Sequence, residues 1–212
     1  MEFDVETAKN LQTRLSRLVV TSGMDLSRVR YVAGLDVSYS GSWGIAVAAL
    51  ANYPQLELVE YVVVEGAVSV PYVPGLLAFR EAPLLFKACE SLSTEPDLLV
   101  VDGHGVTHPR RFGIASHIGV VLDKPSIGVA KSLLYGRVSV VSGEKVIVID
   151  DLVGGLVVSR GRRELYFSIG HRVDLNNLRE LSKTLFKRHE LPEPTYFADR
   201  LSREVRGSAT RR

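Results

Sequence analysis

The chain has 212 residues, enough for one domain with a substantial core, and its 46% hydrophobic and 24% charged shares are those of an ordinary globular protein. A formal net charge of +2 is too weak to drive nucleic-acid binding by itself, so any such binding has to come from local patches. The one cysteine, Cys89, excludes an internal disulfide, no apolar run reaches membrane-spanning length, and the opening Met-Glu-Phe-Asp has no signal-peptide core; a cytoplasmic protein is expected.

In chain order, Val5, Ala8, Leu11, Leu15, Leu18 and Val19 recur at helical spacing and predict a helix over 5–20, closed by Gly23. Tyr31 to Ser38 reads as a strand, Gly44 to Ala51 as a second and Leu56 to Glu65 as a third. Connections this short make them an antiparallel meander. A proline-bracketed loop follows, Pro71-Tyr72-Val73-Pro74. It leads into a helix from Leu76 to about Ser93, expected to bend or restart at Pro83. Asp97 to Val101 is a fourth strand ending at Asp102. Phe112 to Leu122 is a helix, and Pro125 to Ala130 a fifth strand with Lys131 at its end. Residues 136–167 read as short β segments with turns at Gly154-Gly155 and Gly161. Asp174 is placed to cap a helix through Leu185. Thr195 is placed to cap a final one carrying Asp199, and 206–212 read as a mobile polar tail.

Chemistry concentrates where the fourth strand ends. Leu98-Leu-Val-Val runs straight into Asp102, and strand ends are where α/β proteins place their sites. Gly103 and Gly105 remove side-chain bulk there, so a ligand could approach the backbone. His104, His108, Arg110 and Arg111 crowd the same exit. An isolated Asp-Gly after a strand is more often a solvated turn. Asp36, however, also interrupts an apolar strand, where an unpartnered carboxylate is expensive. Tyr72, held between two prolines, can stack on a base or wedge into a duplex; the blander role is packing on the domain surface.

Three meander strands followed by helix, strand, helix, strand and helices is the order of the ribonuclease H-like fold. That gives an α/β protein with a mixed five-stranded central sheet flanked by helices. In that order the first and fourth strands lie side by side in parallel, so Asp36 and Asp102 meet. Two carboxylates forced together repel unless a cation neutralises them, and Mg²⁺ takes oxygen ligands of this kind. Glu81 on the intervening helix can reach the site, and Asp199 can supply a fourth carboxylate.

The sequence resembles the endonuclease V family, the deoxyinosine-directed repair nucleases. The matching pieces are Tyr31-Val-Ala-Gly-Leu-Asp36-Val-Ser, Pro71-Tyr-Val-Pro-Gly-Leu-Leu-Ala-Phe-Arg-Glu81 and Val101-Asp-Gly-His-Gly105 with His108-Pro-Arg-Arg. Gly113-Ile-Ala-Ser-His117, Pro125-Ser-Ile-Gly-Val-Ala-Lys131-Ser and Glu193-Pro-Thr195 match as well. The resemblance implies Mg²⁺-dependent hydrolysis of the second phosphodiester bond 3′ to deoxyinosine, leaving 3′-hydroxyl and 5′-phosphate ends, with Mn²⁺ able to substitute. It implies Asp36 and Asp102 as metal ligands with Glu81 at the metal's water shell, and Lys131 offsetting charge on the phosphate. Pro71, Tyr72, Val73 and Pro74 become a wedge for the duplex. Gly103, His104, Gly105, His108 and Arg80 become substrate contacts, with a backbone amide near Gly103 and Gly105 reading the base. The expected partner is inosine-containing DNA, double- or single-stranded, bound by a monomer of a single domain over 1–212. A related nuclease cutting inosine-containing RNA or branched DNA is the alternative. A catalytically dead inosine reader would lack Asp36, Glu81 or Asp102, and all three are present. No Gly-x-Gly-x-x-Gly follows the first strand, which disfavours a Rossmann domain.

Overall fold

The computed structural model describes residues 3–209. Helix α1 (Val5–Leu15) is capped by Asp4, whose carboxylate accepts from the amides of Glu6 and Thr7. The meander follows as β1 (Tyr31–Ser40), β2 (Trp43–Asn52) and β3 (Leu58–Ala67). Helix α2 (Leu77–Glu90) leads to β4 (Leu98–Asp102), α3 (Ile114–Val121) and β5 (Ser126–Ala130). Four strands come next: β6 (Arg137–Val141), β7 (Glu144–Ile149), β8 (Leu152–Arg160) and β9 (Arg163–His171). Helices α4 (Leu175–Thr184) and α5 (Glu193–Ala209) complete the described residues.

The nine strands among the described residues form one sheet, in the order β3-β2-β1-β4-β5-β9-β8-β7-β6. The first five positions are the ribonuclease H-like arrangement, with β1 parallel to β4 and β4 parallel to β5. The expected five strands are corrected to nine. Strand β9 pairs antiparallel with β5, matching Ile127 to Ile169, and carries the later meander into the same sheet. Gly154-Gly155 is not a turn but lies inside β8. A Cβ on Gly155 would stand 2.2 Å from the Phe167 carbonyl, so glycine there serves close strand approach.

Helices cover both faces. One core packs α2 and α3 on alternate residues of β1 and β4, namely Ala33, Leu35, Leu99 and Val101. On the opposite face Val32, Leu98 and Val100 meet Leu178 and Leu181 of α4 and Leu185 just after it. Ala198 and Leu201 of α5 cover Val47 and Ala49 of β2 on that same side. Pro83 does not restart α2, which runs unbroken from Leu77 to Glu90. It sits on the exposed side, where a proline costs one helical hydrogen bond and no packing.

Asp174 does cap α4, in a reciprocal box with Asn177. Thr195 does not cap α5, which begins at Glu193; its hydroxyl instead donates to the Pro192 carbonyl at 3.0 Å. The buried Glu193 carboxylate accepts from the amides of Lys187, Arg188 and His189, ordering the loop before the helix. Helix α5 takes in residues 206–209 of the segment expected to be a tail, and 210–212 lie outside the described residues. Cys89 is buried, and burial pushes its thiol up to about 12. Among the described residues, no helix is long and apolar enough to cross a membrane.

Candidate active site

The parallel register of β1 and β4 matches Leu35 to Val101. One residue further, Asp36 and Asp102 stand beside each other at the strand ends. Side chains alternate across a strand, so Asp36 and Asp102 point away from α2 and toward α5. Two residues earlier on that face is Gly34. A Cβ there would lie 1.9 Å from the Pro194 carbonyl, so the start of α5 rests directly on the β1 backbone. This close seat brings Asp199 and Ser202 to the strand ends. Ser202 is fully buried, and its hydroxyl donates to Asp36 Oδ2 at 2.8 Å; its carbonyl accepts from Ser38 at 2.9 Å.

One carboxylate oxygen each from Asp36, Asp102 and Asp199 lies within 4.8 Å of the others. Lys131, leaving β5, reaches between two of them: its Nζ is 2.7 Å from Asp102 Oδ2 and 3.5 Å from Asp199 Oδ1. Arg203, one turn along α5, adds a second cation to Asp199 at 2.8 Å. Glu81 approaches from the α2 face and is not part of this triad. It is buried, and Tyr39 donates its hydroxyl to Glu81 Oε1 at 2.9 Å.

The electrostatics follow from crowding like charges. Burial first, then the neighbouring Asp102 charge, pushes Asp36 up to about 7. Burial pushes Glu81 up to about 8, with Asp36 and Asp102 adding to it and Tyr39 opposing it. Burial works against the Lys131 ammonium, but Asp102, Asp199 and Asp36 outweigh it and raise its pKa. Both carboxyls titrate far above their ordinary 3.8 and 4.5, so between about pH 4 and 8 the folded protein binds more protons than the unfolded chain. Stability of the metal-free protein therefore falls as pH rises through that window. Thermal melts in chelator from pH 5.5 to 8.5 are expected to show a decline, abolished in a combined Asp36→Asn and Glu81→Gln variant. A wild-type melting temperature that climbs over this range would contradict the assignment.

Three hard oxygen donors from three elements, partly buried and mutually repelling, suit a divalent cation such as Mg²⁺. Lys131 and Arg203 place two positive charges against three carboxylates, which leaves the cluster short of neutral.

The β4 exit differs in detail from the open, ligand-facing glycine turn expected. The Gly103 amide donates to the Val129 carbonyl at 3.2 Å, and the Gly105 amide to Ser168 Oγ at 3.1 Å, so both are already engaged. A Cβ on Gly105 would meet the Ile169 carbonyl at 2.0 Å; this glycine makes room for protein, not for a ligand. His104 bridges Thr107 Oγ1 and the Ser132 carbonyl, each at 2.9 Å, and so holds the loop after Lys131. His108 is buried, and burial depresses its pKa to about 4.

His108 is part of a clamp on the proline loop. His108 Nε2, Gln12 Nε2 and an Arg110 Nη all donate to the Gly75 carbonyl, at 2.9, 3.0 and 2.8 Å. Arg110 also grips Gln12 Oε1 at 2.6 Å, while Arg111 pairs with Asp150. Gly75 itself has φ of +78°, a conformation that favours glycine. With the loop so clamped, Pro71, Tyr72 and Pro74 are exposed and Val73 is half-buried; Tyr72 is 69% exposed. Arg80 is turned inward, donating to the Val70 carbonyl.

Behind Tyr72 lies a cavity of about 320 Å³, walled by Gly75, Gly103, His104, His108, Leu133 and Leu134 and reaching Asp102 and Lys131. Its size is that of a small-molecule site. A larger cavity of about 440 Å³, at Val19, Leu152 and Leu175, is mostly aliphatic and has no carboxylate in its wall. Sequence reasoning missed Tyr39, Ser202, Arg203, Gln12, Leu133 and Leu134. Period-two alternation from Asp36 held a partial signal, placing Ser38 with Asp36 and Tyr39 on the face of the Glu81 helix.

Carboxylates meeting at this edge of a ribonuclease H-like sheet define a class, the phosphodiester-cleaving nucleases of that fold. The Endonuclease V family model matches residues 13–200, and the chain belongs to the endonuclease V family. It is 43% identical over 210 residues to the endonuclease V of Desulfurococcus amylolyticus, covering 96% of both chains. A crystal structure of the Streptomyces avermitilis endonuclease V superposes with a TM-score of 0.89 at 34% identity, covering 99% of this chain and 96% of the other. The Ciona intestinalis endonuclease V, solved with a 24mer DNA containing an inosine followed by a ribo-adenosine, superposes with a TM-score of 0.86. Its identity is 26%, covering 97% of this chain and 100% of that one.

Proposed function

We propose that the protein binds deoxyinosine in DNA and hydrolyses the second phosphodiester bond on its 3′ side, Mg²⁺-dependently, leaving 3′-hydroxyl and 5′-phosphate ends. The observation that carries this is the convergence of Asp36, Asp102 and Asp199 beside the cavity behind Tyr72. Asp36, Asp102 and Asp199 would hold the metal, which supplies polarisation of the scissile phosphate and stabilisation of the leaving 3′ oxygen. Glu81, its pKa raised toward neutrality, orients the attacking water and takes its proton. Lys131 offsets the charge that builds on the phosphate. The cavity takes the base turned out of the duplex, and Tyr72 fills the space it leaves. The inosine bound by the Ciona relative supports this substrate.

The ribo-adenosine in that complex favours a second reading, cleavage of inosine-containing RNA. One experiment separates the two. End-labelled strands carrying a single inosine, as duplex DNA, single-stranded DNA and RNA, are incubated with and without Mg²⁺. Mg²⁺-dependent nicking of DNA directly on the 3′ side of the inosine's 3′ neighbour is expected; cleavage of RNA alone moves the assignment to the second reading. Tyr72→Ala is expected to slow duplex cleavage about tenfold more than single-strand cleavage. Extrusion costs a few kcal/mol in the duplex and little in a single strand. Equal losses on both would make Tyr72 a packing residue.

A further inference from the structure

Glu81 comes off α2, on the face of the sheet opposite the aspartate triad, so nothing in the triad fixes its direction. Tyr39 does. It follows Ala33, Leu35 and Val37 on the α2-facing side of β1, and its hydroxyl donates to Glu81 Oε1 at 2.9 Å. The Arg80 guanidinium lies over the Tyr39 ring, 4.3 Å from its centroid. Arg80 in turn donates to the carbonyl of Val70, the residue before Pro71. A continuous path thus runs from the near end of the proline loop to the Glu81 carboxyl. The far end of the loop is held separately, at the Gly75 carbonyl, by groups that do not touch Glu81.

We propose that Tyr39 and Arg80 are positioning residues that seat the Pro71–Pro74 loop and the Glu81 carboxyl as one unit. Glu81 is then aimed at the reacting water only while the loop is in place. This rests on the function proposed above and deepens it. A site where Tyr72 cannot lodge disturbs the loop, and through Val70, Arg80 and Tyr39 it disturbs Glu81. Discrimination against undamaged DNA then appears in the rate of cleavage more than in affinity.

The test uses the full chain and three variants. Tyr39→Phe keeps the ring under Arg80 and removes only the donor to Glu81. Expected is a 10- to 100-fold drop in single-turnover rate on inosine duplex, with affinity in Ca²⁺ unchanged within twofold and an unchanged melting temperature. The ratio of inosine to undamaged-site cleavage rates is expected to fall as well. Tyr39→Leu, which also removes the ring, is expected to lose affinity in addition to rate. Arg80→Met is expected to speed amide hydrogen exchange in residues 71–76, a readout independent of activity. A Tyr39→Phe protein with wild-type rate, or one whose loss is wholly in affinity, overturns the proposal; so does unchanged exchange in Arg80→Met. Wild-type protein that fails to cut inosine DNA overturns the substrate reading itself. Wild-type cleavage with a neutral Tyr39→Phe overturns only the coupling.

Discussion

Asp36→Asn is expected to reduce Mg²⁺-dependent cleavage at least about 10³-fold while raising the melting temperature of the metal-free protein by a few degrees at pH 8. The two effects share one cause. Asp36 is held beside Asp102 and Asp199 and carries a charge that burial and its neighbours oppose. Asparagine keeps the shape and still accepts the Ser202 hydroxyl, but removes one repelling charge. It also removes one anionic ligand. Added Mg²⁺ should therefore reverse the order of stabilities, because the wild type gains binding free energy that the variant forfeits. Asp102→Asn should lose cleavage equally but gain less stability, since it gives up the 2.7 Å contact with Lys131. Mg²⁺-dependent nicking retained by either variant, or an Asp36→Asn protein that melts earlier in chelator, would contradict the assignment of this cluster.

Gly34→Ala is expected to destabilise the protein by about 3 kcal/mol, lowering its melting temperature by roughly 6–12 °C, and to cut activity about 100-fold. The added methyl would stand 1.9 Å from the Pro194 carbonyl and 2.6 Å from the Thr195 amide. Those are main-chain atoms at the start of a helix, so no rotamer change relieves the clash. Helix α5 has to lift, and it carries Asp199 and the Ser202 hydroxyl with it. Gly207→Ala is the control. It lies on the same helix with nothing within 4 Å of the added carbon, and should stabilise slightly through helix propensity. Wild-type activity in Gly34→Ala would separate the α5 seat from the chemistry.

Sequence reasoning reached the pairing of Asp36 with Asp102 because strand order alone implies it, and the β1–β4 register bears this out. It reached Asp199 by counting turns of the last helix. It did not reach Ser202 or Tyr39, because each acts through a partner far along the chain. Ser202 bonds Asp36 across 166 positions and Tyr39 bonds Glu81 across 42, and no local pattern reports such contacts. Glycines were the other blind spot. A missing side chain looks the same whether a ligand, a turn or a neighbouring strand needs the room. Gly105 and Gly155 both give theirs to a carbonyl of β9. The same ambiguity split β8, since its glycines read as a turn, and left the later β segments outside the expected central sheet. His108, read as a substrate contact, and Arg110, read only as crowding the same strand exit, both bond the Gly75 carbonyl, a destination invisible without the fold.

The seating of α5 on Gly34 also bears on the timing of synthesis. Every strand of the sheet among the described residues is complete by His171, and by then Asp36 has met Asp102's strand and Asp102 the strand that leads to Lys131. The third aspartate and the serine that holds the first arrive only after Glu193, with the last helix translated. A chain still attached to the ribosome can therefore own a finished sheet without owning a finished cutting centre. The valine and alanine of β2 that α5 covers stay open until that moment, so the step that buries them is also the step that arms the enzyme. A copy truncated before Glu193 is therefore expected to keep the sheet and to show no Mg²⁺-dependent cleavage.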